Sequence, residues 1–271
     1  MVTTKLNQID ERVASVNWDK VVVSVSGGKD SSVLMAWALR HFPIEKLICV
    51  HAKIDIDWKE TVPVTESQCE YLGLPLVVVQ ANHADGSVKG FLSKLVAPRK
   101  KRDGTIVENQ FPDMSCRWCT SELKVAPIDK FINTMTGNIL VLVGERAEES
   151  TERANMETYR VDLENSKRKV VKYSPIHSLL ETEVWEVINE MGLPVHPVYS
   201  WGVSRASCAI CIFSSNKEIA IAYERAPEIV NAYMEAESKI SHTFRYKKAT
   251  KKAPEQKLTV REILRAQGYM V

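Results

Sequence analysis

The chain has 271 residues, 45% of them hydrophobic and 26% charged, with a formal net charge of +2. This supports a full hydrophobic core and excludes disordered and fibrous classes, while the near-neutral charge names no polyanionic partner. No apolar run approaches the roughly 18 residues of a membrane span, and the polar start "MVTTKLNQIDERV" carries no signal pattern, so a cytoplasmic protein with no membrane partner is expected.

Strand patterns fall at 20–25, 46–52, 74–80 and 138–144, and helical patterns between them at 31–42, 60–73 and 120–135. Alternation of this kind predicts an α/β fold with a doubly wound, mostly parallel sheet. Runs such as "KVVVSV" suit strands covered on both faces. Residues 82–113, with Gly, Pro and "PRKKRDG", read as an insertion or lid, and the polar stretch 148–170 as a loop. A helix, "ETEVWEVINEMG", closes at Gly192 and a Pro-rich crossing segment follows. Residues 1–205 are thus expected to form the main domain. Residues 206–271 form a cysteine-bearing helical C-terminal appendage with a basic tail.

The first strand runs directly into "SGGKDSS", 26–32, and then into an apolar helix pattern. A glycine turn there leaves bare amides at a helix N-terminus, a setting that favours phosphate oxygens. Gly27 and Gly28 permit close approach, Ser26 and Ser31 supply hydroxyls, and Lys29 supplies charge. Asp30 can cap the helix or help hold Mg²⁺ beside a triphosphate. Neither G-x-x-x-x-G-K-[ST] nor G-x-G-x-x-G is present, and a capped tight turn is the plain alternative.

Six cysteines in a reducing compartment argue for metal ligands, thiol chemistry or core packing rather than disulfides. Cys116/Cys119 and Cys208/Cys211 form two C-x-x-C pairs, a spacing that suits zinc or an iron–sulfur cluster without choosing between them. Cys49 lies in an apolar strand and reads as core; Cys69 is given no role. Arg146 follows a strand end, where its fork suits an α-phosphate or pairs with Glu145, Glu148 or Glu149. Those last two acids read as solvated. His51 ends a strand, facing either an adenine or a strand-end hydrogen bond. The runs 98–102, 167–169 and 247–252 read as basic loops that are solvated singly and could jointly clamp a phosphate backbone.

The six-residue pattern S-G-G-x-D-S in its strand–turn–helix setting resembles the PP-loop of the ATP pyrophosphatases. Further segments, "VHAKIDIDWKET", "SCRWCTSELKVAPIDKFI", "GERAEESTERA" and "HPVYSWGVSRASCAIC", are similar in order to those of the phosphoadenosine-phosphosulfate (PAPS) reductase family. The resemblance implies that Ser26, Gly27, Gly28, Lys29, Asp30, Ser31, His51, Asp57 and Arg146 bind ATP and Mg²⁺. It also implies catalytic roles for Lys29, Asp30 and Arg146, and a [4Fe–4S] cluster on Cys116, Cys119, Cys208 and Cys211, with zinc as the alternative.

Sulfonucleotide reductases carry a nucleophilic cysteine near the C-terminus, and no cysteine follows Cys211 here. An ATP-type loop with paired cysteines and no tail cysteine looks most like the DNA phosphorothioation proteins of DndC/SspD type. Cleavage of ATP to AMP and pyrophosphate, adenylation of DNA, a cysteine desulfurase as sulfur donor and other modification-system proteins as partners are what this implies. A PAPS-reductase-like or ATP-sulfurylase-like enzyme, a tRNA thiolase and a non-enzymatic ATP-sensing cluster protein are the alternatives. Oligomeric state is left open, a homo-oligomer included.

Overall fold

The computed structural model describes residues 5–247 and 256–271. The chain forms two compact units: one holds the chain through Ala52, Lys59–Val79 and Ile128–Tyr199, the other Lys53–Trp58, Gln80–Pro127 and the chain from Ser200 on. This division differs from a boundary at residue 205. The stretches expected as insertion and appendage fall together in the second unit.

In the first unit, strand β1 (Lys20–Ser24) leads into helix α1 (Lys29–His41), then β2 (Leu47–Ala52), α2 (Thr61–Tyr71) and β3 (Leu76–Val79). Strands β4 (Gly137–Leu142), β5 (Tyr159–Glu164) and β6 (Arg168–Tyr173) precede helix α3 (Glu181–Met191). The six strands make one sheet of order β3-β2-β1-β4-β6-β5. All neighbouring strands are parallel except the β5–β6 hairpin. The α/β, mostly parallel architecture is the expected one.

Alternation along β1 explains why the sheet needs cover on both faces. Val21 and Val23 join Leu34, Trp37, Val184 and Ile188 in one core, while Val22 joins Val50, Ile139 and Val141 in the other. All three valines are fully buried, each worth about 1.5–3 kcal/mol of transfer free energy. Helix α1 is buried from Ser31 through Ala38, so it packs as a central helix rather than a surface one. Gly192 closes α3 at φ 62°, the left-handed cap its position in the sequence implies.

The stretch 148–170 is not a loop. It contains a short helix, Thr151–Ala154, and most of the β5–β6 hairpin. The run 167–169 accordingly ends inside β6: Arg168 donates to Asn133 Oδ1 and the Ile132 carbonyl, and Lys169 lies 3.1 Å from Glu164. Glu148 and Glu149 are likewise engaged, as described below.

The second unit is built from helices Phe91–Val96, Asn216–Arg225, Pro227–Lys239 and Val260–Ala266 and two short hairpins, one of them carrying Arg99–Lys100 of the 98–102 run. Its core is an aromatic stack: Trp118 on Phe91 at 4.9 Å, Phe91 on Tyr233 at 5.3 Å, and Tyr233 on Phe111 at 5.8 Å. Past Lys247 the 247–252 run lies outside the described residues. Among those described, no helix is long and apolar enough to cross a membrane.

Candidate functional site

The turn between β1 and α1 is held open by three braces. Gly27 sits at φ 73°, and a Cβ there would lie 2.8 Å from Thr65 Oγ1 and 3.1 Å from the Thr61 carbonyl. Only glycine meets both conditions. Gln68, on the same helix α2 as Thr61 and Thr65, donates to the Gly27 carbonyl at 3.2 Å and to the Pro194 carbonyl at 2.8 Å. His196 accepts the Val198 amide at Nδ1, so its proton sits on Nε2, facing Thr61 Oγ1 at 3.3 Å.

Within the turn, Ser31 Oγ receives the Ser26 amide and donates to the Gly28 carbonyl at 2.9 Å. The Lys29 amide donates to Tyr199 Oη at 2.9 Å. The amides of Gly27, Gly28 and Asp30 have no partner among the described residues, and they stand at the N-terminal end of α1, where the helix dipole favours an anion. Lys29 is buried, its Nζ 3.3 Å from Glu181 and 5.3 Å from the Tyr199 ring centre.

Arg146 is 3% exposed and ties the two ends of the site together. Its Nε donates to Asp30 at 2.5 Å, and its Nη1 to Glu148 at 2.7 Å and to the Leu179 carbonyl at 3.3 Å. Burial opposes its charge, but Asp30 and Glu148 outweigh burial and raise its pKa above the ordinary arginine value. The same contact, with the Glu181 amide, holds Glu148 below the usual carboxylate range. Glu149 accepts the Arg146 amide and pairs with Arg153. Both acids therefore pair with arginines; Glu148 does so while remaining solvent-exposed, and Glu149 is the enclosed one. His51 is buried, with Nδ1 3.0 Å from the Val25 carbonyl; since a carbonyl only accepts, Nδ1 carries the proton.

Asp57 and the paired cysteines belong to the second unit. Asp57 accepts the Ile54 amide at 3.1 Å, lies 3.7 Å from Lys124 Nζ and is bridged through its backbone to Cys208. Lys124 rides on a π-helical turn, Ser121–Val125, a distortion found often at functional sites. Burial opposes the lysine's charge, but its anionic surroundings, with the Asp57 carboxylate 3.7 Å away, place its pKa above the ordinary value. Burial likewise raises the Cys208 and Cys119 thiols, each also in the field of Cys211. Cys116 is exposed.

The donor set is thus thiol in kind and lies in one unit. Among the described residues, however, no group of three or more His, Cys, Asp or Glu is gathered as a metal site. Cys49 is core, as expected, and Cys69 is buried beside it with Sγ 3.7 Å from Met35 Sδ.

The structure therefore brings Ser26 through Ser31 together with Arg146. It adds Thr65, Gln68, Glu181, His196 and Tyr199, which no local pattern singled out. The last three lie more than 150 residues along the chain from Gly27, in and just after the helix and Pro-rich segment that the sequence did mark.

Known proteins resemble the chain in sequence and in fold. An uncharacterized 37.8 kDa protein encoded in the gpa 5′ region of Escherichia phage 186 is 30% identical over 125 residues, 45% of this chain and 37% of that protein. The chain thus spans little more than a third of that relative. Phosphoadenylyl-sulfate (PAPS) reductase from Candida auris, solved as a phosphate complex, matches 73% of this chain and 84% of its own at 15% identity and TM-score 0.47. U34-tRNA thiolase NcsA from Methanococcus maripaludis, solved with its [4Fe-4S] cluster, matches 100% and 80% at 15% identity and TM-score 0.49. The phosphoadenosine phosphosulfate reductase domain itself matches residues 20–214, taking in the strand, the glycine turn, Arg146 and both cysteine pairs, and the chain belongs to that family.

Proposed function

We propose that the first unit is an ATP pyrophosphatase that opens the α-phosphate of ATP to an acceptor. The observation that carries this reading is the glycine turn, whose unpartnered amides of Gly27, Gly28 and Asp30 stand at the start of α1 beside buried Lys29. An arrangement of that kind suits the β- and γ-phosphates of MgATP. Gripping them stabilises pyrophosphate as the leaving group. Arg146 fixes Asp30 at the first turn of the helix, and its Nη2, without a partner among the described residues, is the donor left for the α-phosphate.

The acceptor we propose is a DNA backbone phosphate. One of its non-bridging oxygens attacks the α-phosphorus and pyrophosphate leaves. Sulfide, released from the persulfide of a cysteine desulfurase partner by a thiol reductant, then attacks the DNA phosphorus and displaces AMP, which carries away the attacking oxygen. The loop Ser26–Ser31, of the form that holds intact ATP, together with the two C-x-x-C pairs, supports this over a sulfonucleotide reductase. The four paired cysteines are the proposed ligands of a [4Fe–4S] cluster, or of zinc, and neither the attack nor the displacement is routed through it. Iron, zinc and spectral analysis of anaerobically purified protein decides that point.

The function is tested by pyrophosphate release with DNA, sulfate and tRNA in turn. Ser26→Ala and Asp30→Ala should each abolish release, and wild-type-like release from both would refute the loop assignment. Release stimulated by sulfate or tRNA and not by DNA would refute the proposed acceptor.

A further inference from the structure

We propose that a cavity of about 630 Å³ in the second unit is a binding site for a nucleotide unit, a flat base carrying a 5′-phosphate. The site is separate from the glycine turn and does not depend on ATP cleavage there. Its volume lies in the range of small-molecule sites, and its lining includes Ser115, Phe213, His242, Phe244, Arg245 and Tyr246.

Three features select the ligand. The first is flat apolar surface on a firm backing: Phe244 meets Phe111 edge-on at 5.7 Å, and Phe111 is part of the stacked core of the unit. His242 and Tyr246 lie 4.9 Å apart, and Phe213 is 45% exposed. Bases stack on such surfaces whatever their identity.

The second feature is a cation with no counter-ion among the described residues. Arg245 donates from Nη2 to the Ser214 carbonyl, and its Nε is buried with no partner among those residues. No carboxylate there pairs with it, and burial alone lowers its pKa. Asp113, the one carboxylate among the described residues of the wall, is occupied by the amides of Ser115 and Cys116 and by the Ser115 hydroxyl. An anion in the cavity therefore meets a guanidinium and, among the described residues, no competing free carboxylate, and it offsets the cost of burying that charge.

The third is His242, whose Nδ1 is also buried and makes no well-formed hydrogen bond to a described residue, only a weak approach of the Thr243 backbone to the ring. Burial draws the ring below its ordinary pKa, so at neutral pH it is an uncharged hydrogen-bonding group of the kind a base edge pairs with. The wall also adjoins both thiol pairs in sequence: Ser115 precedes Cys116, and Ile212, another lining residue, follows Cys211.

The test uses the full chain carrying Lys29→Ala, so that binding at the glycine turn is removed, and titrates it with AMP, adenosine, pyrophosphate and a 5′-phosphorylated dinucleotide by calorimetry. AMP should bind the Lys29→Ala chain as it binds this cavity in the parent. Adding Arg245→Gln should weaken AMP about tenfold or more, the effect of losing one charged hydrogen bond, and should leave adenosine unchanged. Adding Phe213→Ala, a change at an exposed ring, should weaken AMP and adenosine alike, with melting temperature recorded to show that both variants fold. Tighter binding of the dinucleotide than of AMP assigns the site to a strand of nucleic acid, and the reverse assigns it to a free nucleotide. The proposal is overturned if no nucleotide binds the Lys29→Ala chain at about 1 mM, if Arg245→Gln and Phe213→Ala both bind AMP as their parent does, or if pyrophosphate alone competes fully.

Discussion

Gly27→Ala is the smallest change that tests how the glycine turn works. At φ 73° an alanine occupies the left-handed region, at a cost of about 1–2 kcal/mol. Its methyl would also stand 2.8 Å from Thr65 Oγ1 and 3.1 Å from the Thr61 carbonyl. The hydroxyl is itself fixed, donating to that carbonyl at 2.7 Å, so neither neighbour can retreat cheaply. Overpacking of this kind adds about 1–3 kcal/mol, for a total of about 2–5 kcal/mol. If the strain falls on the turn, the low end weakens ATP roughly thirtyfold. If it falls on the fold, denaturant unfolding shows the same loss. Adding Thr65→Ala removes the closer contact and should restore part of the effect while leaving the backbone cost, so the double variant falls between wild type and Gly27→Ala. A Gly27→Ala chain that binds ATP and unfolds like wild type would refute the brace. A double variant no better than the single would show that Thr65 is not part of it.

Other consequences follow from neighbouring groups. Arg146→Gln leaves Asp30 and Glu148 without their shared cation and should cost about 3–5 kcal/mol in denaturant unfolding, with Arg146→Lys intermediate because charge survives and the fork does not. Burial favours the protonated Glu122 carboxyl, but Lys89 and Lys94 outweigh it and hold its folded pKa below the ordinary 4.5. Its stabilisation is thus complete above pH 4.5 and is lost as pH falls through the folded value; thermal melts of Glu122→Gln against pH should lack that part of the acid slope. In metal-free protein, exposed Cys116 should alkylate first at neutral pH, and Cys119 and Cys208, whose thiols burial holds protonated, should lag in mass-spectrometric time courses.

What the sequence revealed tracks the kind of burial each segment has. Val21–Val23 and Leu140–Leu142 are buried on both faces, and such strands announce themselves by composition alone. Strand β5 does not: only Tyr159 of its six residues is buried, Val161 and Leu163 are largely exposed, and a bulge interrupts the register between them. An edge strand needs cover on one face at most, so its charged residues read as a loop. The turn was legible because its residues are contiguous, whereas its braces were not. Gln68 reads as an ordinary helix polar residue until its amide is found between the Gly27 and Pro194 carbonyls. The second unit was hidden for a similar reason, since it draws on three separated stretches, one only six residues long.

The central claim is that the turn directs cleavage to the α-phosphorus. Incubating the protein with MgATP labelled at the α-phosphate and separating the products tests it directly. Label should appear in AMP or an adenylated acceptor with one pyrophosphate released per event, and Asp30→Ala should give neither product. Label recovered as ADP, with inorganic phosphate released in its place, would contradict the claim.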